Sequence, residues 1–193
     1  ELDTLNQFQS HFIGHPTRKV PGIEQNTGAL GHGLSIAVGM ALAAKMDGHD
    51  YRVFTLLGDG ELAEGSSWEA SMTAAHYSLD NLVVIIDRNT LQITGPTEEV
   101  NALEPLEDKF RSFGYKVRHC DGNSVTELYD TLQQIPFESG KPNLLIAHTV
   151  KGKGISFMEN ALKWHHKVPD DVEYEQAMQE LEAQSVALQG AGK

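Results

Sequence analysis

Apolar and polar positions along the chain fall into two rhythms. Four short runs dominated by apolar residues, 51–57 (YRVFTLL), 82–87 (LVVIID), 115–119 (YKVRH) and 144–149 (LLIAHT), read as strands. The second and fourth show no polar alternation. Such strands are buried on both faces, as in parallel sheets. Between the strands the pattern is helical. Residues 33–46 (GLSIAVGMALAAKM) are Ala-rich and apolar on most sides, which predicts a buried helix. Helices are also expected at 66–78, with Ser66 or Ser67 as cap, near 103–113, at 124–135 and near 171–187. A polar helix near 1–10 precedes a Gly- and Pro-rich loop over 14–32, and a second loop covers 58–65. Strand and helix alternate from residue 51 to 149. The prediction is one α/β domain over 1–193, an open parallel sheet with helices on both faces.

The ends of the first two strands carry oxygen-bearing side chains. The first stops on Gly58-Asp59-Gly60 and the second on Asp87-Arg88-Asn89, with 28 residues between Gly60 and Asn89. Ligands of open α/β sheets bind outside the carboxyl ends of the strands. A carboxylate and an amide oxygen converging there suit a hard cation such as Mg²⁺, which bridges protein and phosphate oxygens. Gly58 and Gly60 are expected to let the backbone approach a ligand, and the helix start that follows offers N–H groups to an anion. The stretch reads as a site for a cation and a diphosphate.

Charge and composition narrow the partners. The net charge is −12, which argues against nucleic acid. A hydrophobic content of 40% with 22% charged residues fits a globular chain with a sizeable core. No run is long enough to span a membrane and none reads as a signal peptide. Cys120 is the single cysteine, so there is no disulfide framework and a cytoplasmic setting is expected. The first residue is Glu1, and ELDTLNQFQSHF reads like mid-protein sequence. Upstream residues are therefore expected to be missing.

Four segments together resemble the N-terminal, diphosphate-binding half of transketolase in the form split over two subunits. They are GHPTRKVPGIEQNTGALGHGLSIAVGMALAAK, GDGELAEGSSWEA, DRNTLQITG and HTVKGKGISFMENALKWHHKVP. The KGKG portion is shared with 1-deoxyxylulose-5-phosphate synthase. The resemblance implies a thiamine diphosphate-binding fold with Mg²⁺ (or Ca²⁺) held by the side chains of Asp59 and Asn89 and the backbone carbonyl of Leu91. It implies that Gly60 and Glu61 sit over the diphosphate through their N–H groups. Gly28, Ala29 and Leu30 would line the thiazole and aminopyrimidine, Ala29 standing where the family has Pro. His15 would face the substrate hydroxyls. His165 would touch cofactor phosphate and substrate, with His166 replacing the usual Gly beside it. Glu64 and Glu69 would link two active sites across a dimer interface. Lys151 and Lys153 read as a solvated basic loop.

The family's activating Glu belongs to a pyrimidine-binding module on another chain. The resemblance therefore implies a C-terminal partner chain, a heterotetramer, sugar phosphate substrates and no turnover by this chain alone. Small residues on two helices, Ala63, Ala70, Ala74 and Ala75 on one and GLSIAVGMALAA on the other, are expected to face that partner. Two other readings stand beside this one. The chain is a subunit of a different thiamine enzyme, of the deoxyxylulose phosphate synthase or 2-oxo acid dehydrogenase kind, or it is a non-catalytic binding module.

Overall fold

A computed structural model describes residues 2–191. Its centre is a four-stranded, all-parallel sheet of β1 (Val53–Gly58), β2 (Leu82–Arg88), β5 (Lys116–Asp121) and β6 (Asn143–His148), in the order β1-β2-β6-β5. The two apolar runs without alternation, β2 and β6, are the central strands. Their odd and even residues feed two different cores. Leu82, Val84 and Ile86 join Leu144 and Ile146 in the larger cluster, beneath α1 (Gly33–Asp47), α2 (Gly65–His76) and α4 (Leu106–Phe113). Val83, Ile85, Leu145 and Ala147 face the other way, toward α5 (Val125–Leu132) and the segment holding Ile135 and Phe137. Helices thus flank both faces, as the strand–helix alternation predicts.

Burial on the larger side is aromatic as well as aliphatic. Phe110 of α4 is fully buried, its ring centroid 5.3 Å from both Trp68 and Tyr115. Asn143 is the polar exception at the start of β6. It is fully buried, its amide oxygen accepting from the Phe137 N–H and its amide nitrogen donating to the carbonyls of Asp80 and Leu82. Every polar atom of that side chain is used, so its burial is tolerated. The α5 layer stops short of β1. There Phe54 and Leu56, in register with Val83 and Ile85, are 52% and 69% exposed.

Several predicted elements shift. The expected helix over 1–10 is only a 3-10 turn at Leu2–Thr4, followed by turns stitched by bonds such as Phe12 O accepting from Asn6 N. The 58–65 loop contains a 3-10 helix, Gly60–Ala63. Helix α2 is capped by neither serine. Glu64 occupies the cap position, Ser66 donates to the Gly31 carbonyl at 2.6 Å, and Ser67 is buried. Between β2 and α4 lie a two-residue ladder, β3 (Leu91–Gln92) against β4 (Gly95–Pro96), and a single turn, α3 (Thr97–Val100). The last helix, α6 (Asp171–Ala191), runs beyond its expected end.

Candidate functional site

Parallel pairing of β1 with β2, Gly58 opposite Asp87, brings the two strand ends side by side. Asp59 N–H donates to the Asp87 carbonyl at 3.2 Å, and Thr90 N–H donates to Asp59 Oδ2 at 2.6 Å. The Asp59 carboxylate is therefore held against the Asn89–Thr90 turn. It is 1% exposed. Its two oxygens are unequal. Oδ2 accepts from Thr90 N–H and from Arg88 Nη1 at 3.0 Å, whereas Oδ1 accepts only from Gly60 N–H at 2.8 Å. Oδ1 keeps lone-pair capacity for a cation.

Asn89 is oriented in the same way by its neighbour. Its amide nitrogen donates to Asp87 Oδ2 at 3.0 Å, and its Oδ1 accepts from Leu91 N–H at 3.1 Å. Only the oxygen can accept, so this bonding assigns the amide. Asp87 is pinned in turn by the Thr149 hydroxyl, which donates to Oδ1. That bond ties the segment after β6 to the same corner.

The candidate donors at this corner are one carboxylate and one amide oxygen, with Leu91, the residue expected to offer its carbonyl, adjoining Asn89. Among the described residues no cluster of three or more His, Cys, Asp or Glu could hold a metal. Oxygen donors of this kind fit a hard dication better than a soft or imidazole-bound metal. One expected donor is spent elsewhere. The Gly60 N–H is bonded to Asp59 and is not free for a diphosphate. Gly60 also has no room for a side chain, since a Cβ there would lie 2.8 Å from the Gln92 Cβ. The glycine is required by the packing of β3 on the turn.

Glu61 contributes its side chain, which the motif reading overlooked. It is 9% exposed, with Oε1 accepting from Gly31 N–H at 2.9 Å and Oε2 from Gly58 N–H at 3.1 Å. The carboxylate is a strut between the strand end and the loop TGALGHG. That loop carries Gly28, Ala29 and Leu30, all exposed. At Gly28 the backbone has φ +116°, and a Cβ would sit 2.9 Å from the His15 ring. His15, Gly28, Glu61 and Asp59 are thus linked in one continuous arrangement.

His165 lies in the segment that follows β6. It closes a 3-10 helix, Leu162–His165, beyond the KGKG loop that follows β6. Its ring meets His166 edge-on, centroids 4.5 Å apart, and its Nδ1 is buried with no hydrogen-bond partner. Burial first, then the positive charges of Lys151 and His166, hold its pKa below the ordinary histidine value. Among the described residues no hydrogen bond joins His165 to Asp59, Asn89 or His15. Glu69 is exposed on α2, outside this network, whereas Glu64, also exposed, packs its side chain on Gly31, where a Cβ would lie 2.7 Å from the Glu64 Cβ. The small residues divide. Ala70 and Ala74 are buried in the chain's own core and Ala75 packs against it, which corrects the expectation that they face a partner, whereas Ala63 is exposed.

The residue most clearly missed by motif reading is Arg88. It is 5% exposed and binds Asp59, Thr97 Oγ1 at 2.8 Å, Glu98 Oε1 at 2.8 Å and Glu104 Oε1 at 2.9 Å. Burial alone would lower its pKa, but the bonds to Glu104, Asp59 and Glu98 outweigh that and raise it. The only sequence signal was an arginine closing an otherwise apolar strand.

Residues 1–185 match the family described as transketolase, thiamine diphosphate binding domain. The chain is 55% identical over 179 residues to a subunit of the apulose-4-phosphate transketolase of Phocaeicola vulgatus, covering 93% of this chain and 64% of that protein. It is 43% identical over 182 residues to the 6-deoxy-6-sulfo-D-fructose transketolase subunit SqwG of a Clostridium species, covering 94% and 66%. The chain therefore spans about two thirds of the length of these relatives. Among solved structures, the transketolase of Campylobacter jejuni aligns with a TM-score of 0.83 at 33% identity, over 93% of this chain and 29% of that one.

Proposed function

The chain belongs to the transketolase family through its thiamine diphosphate-binding domain, and on that premise we propose that it is the N-terminal subunit of a two-subunit transketolase. In this reading it moves a two-carbon ketol unit between sugar phosphates with thiamine diphosphate and Mg²⁺. The observation that carries the proposal is the corner at the ends of β1 and β2. There Asp59 Oδ1 and Asn89 Oδ1 keep acceptor capacity while the hydrogen bonds around them fix both side chains. Asp59, Asn89 and the Leu91 carbonyl would hold the cation, which would supply the positive charge that a diphosphate needs. When bound, the thiamine ring supplies the electron sink for breaking and making the carbon–carbon bond.

The protein's share is positioning. Glu61 fixes the 27–31 loop against the strand end, so that Gly28, Ala29 and Leu30 line the ring system. His15, packed on Gly28, faces the substrate hydroxyls. His165, with its unpartnered Nδ1 near Lys151, meets the cofactor phosphate and substrate. Its depressed pKa keeps the imidazole neutral at pH 7, so it can donate one proton and accept another. Glu64 and Glu69, both exposed, are free to meet a neighbouring chain.

Two relatives are named as subunits, which supports a partner chain; in this reading that partner carries the pyrimidine-binding module and the assembly is a heterotetramer. Their names specify different ketoses, so the donor is to be found by comparison. The test is reconstitution with the C-terminal partner, followed by assay with xylulose 5-phosphate, apulose 4-phosphate, 6-deoxy-6-sulfofructose and pyruvate. Ketol transfer from one of the ketoses, only after the partner is added, is the expected result. Turnover of pyruvate alone would reassign the chain to another class of thiamine enzyme.

A further inference from the structure

Arg88 has no place in the functional reading above, yet no side chain among the described residues makes more ionic contacts. Its Nη1 donates to a proposed metal ligand, Asp59, and to Thr97 Oγ1, while its Nη2 donates to Glu98 and Glu104. Those acceptors are themselves braced. Glu98 Oε1 accepts from Leu103 N–H at 3.2 Å and its Oε2 from Glu104 N–H at 3.3 Å, and Glu104 Oε2 accepts from Leu106 N–H at the start of α4. The fork is rigid because its anchors are tied to backbone.

We infer that Arg88 is the positioning residue of the cation site: clamped by Thr97, Glu98 and Glu104, it occupies Asp59 Oδ2 and so dictates that Oδ1 faces the metal. The argument is geometric. A free carboxylate can rotate and offer either oxygen, or both at once. With Arg88 and Thr90 N–H on Oδ2, only a one-oxygen contact through Oδ1 remains. A fixed single-oxygen contact suits Mg²⁺, which demands near-ideal octahedral geometry, whereas Ca²⁺ tolerates bidentate and irregular ligands. Arg88 therefore selects for the smaller ion as well as organising the site. Lysine cannot replace it, because a single ammonium cannot span Asp59, Thr97 and two glutamates in one plane.

The inference rests on the proposed thiamine diphosphate–Mg²⁺ reading, and the test separates the two. The reconstituted complex is titrated with Mg²⁺ and, separately, Ca²⁺ at fixed thiamine diphosphate. Cofactor uptake is followed by calorimetry and folding by thermal unfolding. Arg88→Lys is expected to raise the Mg²⁺ midpoint by about tenfold or more, the usual cost of losing an outer-shell partner of a metal ligand, and the Ca²⁺ midpoint by distinctly less. Saturating Mg²⁺ should restore cofactor affinity. The double variant Glu98→Gln, Glu104→Gln keeps Arg88 and loosens its clamp, so it should shift the Mg²⁺ midpoint in the same direction by a smaller factor. It also guards against a misfolded Arg88 variant. Midpoints within twofold of the parent for both variants would overturn the inference, as would equal shifts for the two ions. If the parent complex takes up thiamine diphosphate without any dependence on a divalent cation, the functional reading falls first and the role of Arg88 with it.

Discussion

At the scale of single residues, the corner holding Asp59 decides the chemistry. Asp59→Ala removes the only carboxylate in the donor set. Metal-dependent binding of thiamine diphosphate should disappear, measured by calorimetry on the reconstituted complex. The fold should persist, because Arg88 keeps Thr97, Glu98 and Glu104 as partners. The histidines divide by environment. His15→Ala should lower turnover while leaving cofactor affinity nearly unchanged, since His15 packs on the ring-binding loop and not on the metal corner. His165→Ala should change both, and a larger effect of His166→Ala would shift the assignment by one residue. His148 and His165 both have pKa values depressed chiefly by burial, aided respectively by His119 and Arg88, and by Lys151 and His166. The unfolded chain therefore binds more protons than the folded one below about pH 6.5, the ordinary histidine value. Stability is fully present above that value and falls as pH drops toward the depressed folded values. Melting temperatures between pH 8 and 5 should decline accordingly, and the decline should flatten in a His148→Gln, His165→Gln variant.

At the scale of elements, α2 and α4 are held by a tight aromatic and small-residue contact. Phe110 has its ring against Trp68, Tyr115 and Phe113, and Ala74 of α2 is fully buried on the same side. Phe110→Ala should cost about 3–5 kcal/mol, the range for a buried aromatic cut to alanine, read by denaturant unfolding. That loss should also loosen the site. Helix α4 begins two residues after Glu104, whose carboxylate joins the helix's first N–H group to Arg88. Core packing and metal geometry are therefore coupled through one short segment. A Phe110→Leu variant, less destabilised, should still raise the Mg²⁺ midpoint slightly.

At the scale of the molecule, unpaired apolar surface points to assembly. Helix α1 buries Leu34, Ala37, Val38, Ala41 and Ala44 but leaves Ile36 and Met46 exposed on its other side, and Met72 of α2 is 53% exposed. In the proposed two-subunit reading these helix positions, with Ala63, remain available for a partner once Ala70 and Ala74 are assigned to the core, as do Phe54 and Leu56 on β1. Ile36→Glu should weaken association with the C-terminal partner by about tenfold or more, as expected for a charge placed in the centre of an apolar interface. The melting temperature of the isolated chain should stay the same, because Ile36 touches little of its own core. Sedimentation velocity with and without the partner would measure both effects. No helix among the described residues is long and apolar enough to cross a membrane.

Much of this was legible in the order of residues alone. Unbroken apolar runs identify β2 and β6 as central strands, because only a strand covered on both faces can be apolar at every position. The Gly-Asp-Gly and Asp-Arg-Asn strand ends mark the corner proposed to hold a metal, because parallel strands align their carboxyl ends. Local pattern failed where a residue's partner is distant. The expected helix at 1–10 has polar periodicity but no surface to pack on, and short helices need tertiary contact to persist. Ala70 and Ala74 looked like an outward face, since small residues carry no label for which neighbour they touch. Nothing in TEEVNALEPLE marks Glu98 or Glu104 as partners of a distant arginine, and Gly60 reads as a ligand-facing glycine. Only the fold brings Arg88 into their reach, turns the Gly60 N–H onto Asp59, and leaves Asp59 Oδ1 the oxygen with spare acceptor capacity. The sequence by itself determined which chemical groups stand at the strand ends. The tertiary structure alone decided which lone pairs those groups have left to offer, because that depends on hydrogen bonds between residues 10 to 31 positions apart.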